Sequence, residues 1–208
     1  MQPPDTIPWE WLERRSATLF LAGGVLLVPF AASLAAAGLL DVETPESLFA
    51  GAGLTLAFLG LLGLYPGLAD RSRWPARVGA VLAALGVVSF LAVFVANVAH
   101  LAGVVASPSV GPLGALNVVA LLLGFPLTGL AVLRSAAHSR TLGLLVSAPG
   151  VIFAGNVIRL AVGGPVGAAE VAAVFALAQA LTMLGIGYAL RTGGIPGDRP
   201  EPTADAVA

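Results

Sequence analysis

Of the 208 residues, 58% are hydrophobic and only 10% are charged, and the mean hydropathy is +0.95. A water-soluble domain carries about 25% charged residues, so this composition cannot cover a wetted surface and makes lipid the natural solvent. Net charge is −1, every cation is an arginine and there is no cysteine. This excludes the basic face of a nucleic-acid binder, disulfides, thiolate zinc and iron–sulfur centres.

Residues 1–15 read as a mixed-charge cytoplasmic arm carrying Trp9 and Trp11. Six apolar stretches follow, near 16–40, 47–69, 76–105, 112–133, 141–162 and 167–190. Each is long enough to cross a bilayer, which takes about 20 helical residues. The expected fold is therefore all-α, a polytopic membrane bundle of six transmembrane helices over 16–190. The tail at 191–208 is rich in Gly, Pro and acid and reads as a disordered cytoplasmic segment.

The arginines orient the bundle. Arg14, Arg15, Arg71, Arg73, Arg77, Arg134, Arg140, Arg191 and Arg199 fall on the side holding both termini, and only Arg159 falls on the other. The positive-inside bias puts both ends of the chain in the cytoplasm. Trp9, Trp11 and Trp74 lie next to cytoplasmic helix ends, where indoles anchor at headgroup level. Lysine-free basic usage suits a GC-rich prokaryotic genome, hence a bacterial or archaeal plasma membrane. A cleaved signal peptide is the rival reading of the start, with Ala35-Ala36-Ala37 as the cleavage site. Asp5, Glu10 and Glu13 before the apolar run, and the length of that run, argue against it.

Two hairpins look alike. LLGLYPGLADRS leads to ANVAHLAG, and LLLGFPLTGLAVLRS leads to GNVIRLAVG, which suggests a duplicated pair in helices two–three and four–five. Gly63-x-x-x-Gly67 and Gly150-x-x-x-Ala154 have the small-residue spacing that lets helices approach closely in lipid. Pro29, Pro126 and Pro149 lie inside apolar stretches and are expected to kink them.

The polar residues of the outer half carry the functional question. Arg159 and Glu170 flank the link at 163–166 at matching depth, so an ion pair between them is expected, because a charge in a membrane is usually paired. Asn156 is one turn from Arg159; Asn97 and His100 repeat that spacing, and Asn117 joins them in one layer. As a binding site, Arg159 would hold an anion, Glu170 would set its charge state and His100 would respond to pH. As structure, the same groups would be interhelical hydrogen bonds and a snorkelling arginine.

The chemistry narrows the rest. His100 and His138 sit a membrane apart, so neither a bis-His haem nor a three-ligand metal site is expected, and no cofactor is assigned. Phosphate-loop, serine-hydrolase and zinc-protease motifs are all missing. The leading reading is an accessory or structural membrane component without catalysis, embedded in the lipid bilayer and able to associate with itself or with another membrane subunit. A small-solute or lipid-binding carrier using Asn97, His100, Asn117, Asn156, Arg159 and Glu170 is the alternative. An intramembrane lipid-modifying enzyme with His100 as acid–base is the weaker third.

Overall fold

The computed structural model of the chain describes residues 7–40, 45–108, 111–135, 138–162 and 168–193. The tail expected to be disordered lies, from residue 194 onward, outside these, as do residues 1–6 of the arm and the link at 163–167. The described residues are helical, with no strand among them. They form α1 (Ile7–Leu40), α2 (Glu46–Gly63), α3 (Tyr65–Ala69), α4 (Arg73–Leu101), α5 (Leu113–Val119), α6 (Phe125–Ser135), α7 (Arg140–Ala161) and α8 (Ala168–Arg191). A π-helical stretch, Ala120–Gly124, joins α5 to α6 into one span. Six helices are thus long and apolar enough to cross a membrane.

Local chemistry sets the helix ends. The second apolar stretch is not one helix: α2 stops at Gly63 and the short α3 carries Pro66 in its first turn. Proline has no N–H to offer the carbonyl four residues back and collides with it, but is tolerated in a first turn. Gly63 and Gly67 consequently do not share a helix, so the expected small-residue pair is not a single packing face. Pro126 acts differently. The wide turn of the π stretch lies directly before it, and such bulges absorb what a regular ladder cannot. At the far end of α4 the chain leaves the helix at Gly103, with φ of 72°. Gly103 N–H donates to the His100 carbonyl and Val104 N–H to that of Ala99, both at 2.9 Å, a Schellman closure that needs a left-handed residue. Ser139 starts α7 by accepting from the Leu142 N–H at 3.2 Å.

The spans form a closed ring. Each packs on the next in chain order, and α8 returns to pack on α1. Its interior is filled by side chains. The Phe58 ring of α2 is fully buried and lies 5.6 Å from Phe90 of α4 and 5.0 Å from Phe125 of α6. Phe20, Leu27, Val146, Met183 and Ile186 extend this core through α1, α7 and α8. The outer surface is apolar instead, with Val25, Val81, Val88, Val151, Ile158 and Val174 exposed. That inversion suits a lipid solvent.

Close approach of backbones seals the ring. A Cβ on Gly63 would lie 2.5 Å from the Leu12 carbonyl oxygen of α1, and one on Gly187 of α8 would lie 2.8 Å from that of Ala17. A Cβ on Gly150 would meet the Pro126 ring at 2.5 Å. Glycine is required there by size. Gly187→Val should therefore lower stability by about 1–3 kcal/mol through overpacking. Gly185→Ala on the same helix, where the new methyl meets only Leu145 at 3.7 Å, should be neutral or gain up to about 1 kcal/mol. Thermal unfolding in detergent reads both, and equal effects would refute the packing argument.

Candidate functional site

The six side chains expected to form one polar layer are placed at one end of the ring, but most are occupied separately. Asn97 is buried near the end of α4. Its Oδ1 accepts from the Ser47 hydroxyl of α2 at 2.5 Å, and its Nδ2 donates to the Val93 carbonyl at 2.8 Å. His100, exposed, donates from Nδ1 to the Val105 carbonyl at 3.1 Å and so helps close the end of α4. Arg159 turns back along its own helix, with Nε and a terminal nitrogen donating to Asn156 Oδ1 at 3.3 and 3.2 Å. Glu170 is exposed at the start of α8.

The expected Arg159–Glu170 ion pair does not form among the described residues. An acceptor three residues away on the same helix face needs no alignment of two helices, and Asn156 supplies it. Asn117 is half-buried on α5 with Oδ1 enclosed and unpartnered. Of the six, Asn156 and Arg159 are the pair joined by a hydrogen bond among the described residues. Asn97 serves a helix pair and His100 a helix end.

The opposite end holds the feature that sequence reading missed. A cavity of about 170 Å³ opens where the start of α1, the end of α2, α3, the α6–α7 link and the end of α8 meet. Glu13, Arg14, Gly63, Gly67, His138 and Leu190 are on its wall. Because Glu13 and Leu190 share that wall, the start of α1 and the end of α8 lie at the same end of the ring. The imidazole of His138 reaches inward from the link and lies against α3, its Cε1 3.9 Å from where a Cβ on Gly67 would be. Its Nδ1 is enclosed and has no hydrogen-bond partner among the described residues. Burial holds its pKa below the ordinary value of 6.5; the Arg71 charge pushes the same way and Glu13 opposes. Near it, Ser16 Oγ donates to the Gly60 carbonyl at 2.7 Å, fixing α1 on α2.

Nothing in the local sequence marks His138, which sits in a short link between Ala137 and Ser139. Its enclosure comes from α3, whose side-chain-free Gly67 leaves the ring room. Rings and guanidinium groups cluster around the same end. Trp9 lies 5.5 Å from Tyr65, and the Arg15 guanidinium lies 5.2 Å from the Trp11 ring.

Fold and site together define a multi-pass helical membrane protein with a small polar cavity at the end of its bundle where α1 starts and α8 ends. No family model, curated protein or solved structure matches the chain. Among the described residues, no group of three or more His, Asp or Glu side chains could hold a metal.

Two measurements follow. A double-mutant cycle on Ser47→Ala and Asn97→Ala should return a coupling of about 0.6 kcal/mol, the usual worth of such a bond in lipid; zero coupling would show the contact is unimportant. Because the folded pKa of His138 is depressed, its contribution to stability is intact above about pH 6.5 and is lost as pH falls toward the folded value. His138→Gln should flatten that acid limb in a pH series of unfolding temperatures.

Proposed function

We propose that this chain is a non-catalytic accessory component of a prokaryotic plasma membrane, with both termini in the cytoplasm. The carrying observation is how the polar groups at the outer end are used. Asn97 ties α4 to α2, His100 closes α4, and Asn156 holds Arg159. Polar groups committed to helix ends and helix pairs stabilise a bundle and leave little free to bind a solute. The side chains of Phe58, Phe90 and Phe125 fill the interior at that level.

Orientation rests on charge. Arg14, Arg15, Arg71, Arg73, Arg77, Arg134, Arg140 and Arg191 lie at the end where α1 starts and α8 finishes, against Arg159 at the other. Reporter fusions at both termini should read as cytoplasmic, and a periplasmic signal from either would overturn the assignment.

The carrier alternative is tested in the same preparation. The detergent-solubilised protein is screened by thermal shift against anionic and lipidic solutes, with Arg159→Ala and Asn117→Ala beside the wild type. The accessory reading expects any solute-dependent stabilisation to persist undiminished in both variants. A stabilisation abolished by Arg159→Ala, in a variant that is folded alone, would replace this reading with the carrier.

A further inference from the structure

We propose that the cavity between α1, α3 and His138 binds a phosphate group bearing a hydrogen-bond donor, as in a phosphatidylglycerol or phosphatidylethanolamine headgroup or in dihydrogen phosphate. Three features define the occupant. Arg14 and His138 share a wall, and arginine pairs with phosphate oxygens in a bidentate fork. Glu13 stands on the same wall and, when ionised, only accepts, so the bound group must present a donor to it. The volume, about 170 Å³, exceeds a dry cavity of about 150 Å³ that admits benzene, so a headgroup fragment fits.

The surroundings favour an anion. Arg14, Arg15, Arg71, Arg73, Arg77, Arg134, Arg140 and Arg191 ring this end, against Glu10, Glu13 and Asp70. The depth favours a lipid source. Trp9, Trp11 and Trp74 are 42%, 46% and 65% exposed at the same end, the level at which indoles meet headgroups.

Binding takes up a proton at His138. The groups facing the imidazole are Glu13 and Arg14 from α1 and Arg71 from the α3–α4 turn, while α3 and α8 offer Gly67 and Leu190. Burial, and after it the Arg71 charge, lower the pKa of the ring, and Glu13 opposes them. A phosphate beside the imidazole favours the charged ring, so affinity rises as pH falls through the ordinary histidine range.

The test measures the unfolding temperature of the full chain in a neutral detergent against four probes: inorganic phosphate, sulfate, short-chain phosphatidylglycerol and short-chain phosphatidylcholine. Phosphate and phosphatidylglycerol should stabilise, whereas sulfate and phosphatidylcholine, which offer no donor to Glu13, should do so about ten-fold more weakly. Stabilisation by only one of the first pair supports the site and identifies the source as free phosphate or lipid. Arg14→Gln should weaken binding by about ten-fold. Gly67→Leu should abolish it by filling the cavity from an exposed position where a Cβ meets only His138. The phosphatidylglycerol effect should grow from pH 7.5 to about pH 6 in wild type and not in His138→Gln. Equal responses to phosphate and sulfate, no response to any probe, or undiminished binding in Gly67→Leu would overturn the proposal.

Discussion

Helices in lipid gain nothing from hiding apolar surface from one another, because the tails around them are equally apolar. What holds this ring is contact at backbone distance, and α1 is where most of it converges. Leu12 and Ala17 present bare carbonyls to Gly63 of α2 and Gly187 of α8, while the Ser16 hydroxyl reaches the Gly60 carbonyl. A side chain at either glycine would push two helices apart along their length. The stack of Phe58, Phe90 and Phe125 fills the space left inside, so close approach outside and bulk inside are parts of one solution.

The two ends of the ring treat their polar groups differently, although each keeps one enclosed atom without a hydrogen-bond partner among the described residues, Asn117 Oδ1 and His138 Nδ1. At one end Asn97, His100 and Asn156 each find an acceptor or donor nearby, and the cost of desolvation is met locally. At the other, His138 Nδ1 is enclosed without a partner beside a space large enough for a small group. An unpartnered buried nitrogen is a cost that packing alone does not explain. Its neighbours include one acid and two arginines, Glu13, Arg14 and Arg71.

Span number, helix class and approximate limits were legible because length and hydropathy suffice in lipid. The break at Gly63 was hidden inside a continuous apolar run, although Pro66 was its signal, and the start of α1 at Ile7 was masked by the charges Glu10, Glu13, Arg14 and Arg15. Pro66 and Pro126 look equivalent in the two similar hairpins, yet one ends a helix and the other follows a π turn. At the site level, Asn156 and Arg159 were placed together correctly because three residues on a helix share a face. The partner of Arg159 was not, since pairing across two helices depends on rotation that periodicity does not specify. His138 was invisible for a related reason: its surroundings come from α1, α3 and α8, far away in sequence.

Closure of the ring through α1 and α8 also orders its assembly. Of the six spans, α1 is made before α8, so it receives one of its two main partners only when the sixth span has followed. Until then the flank of α1 containing Ala17 and Leu21 is open to lipid, and any other small-faced helix in the membrane competes for it. A bundle joined in this way closes through a contact between two segments far apart in sequence, the kind of pairing that carries the largest loop-closure cost.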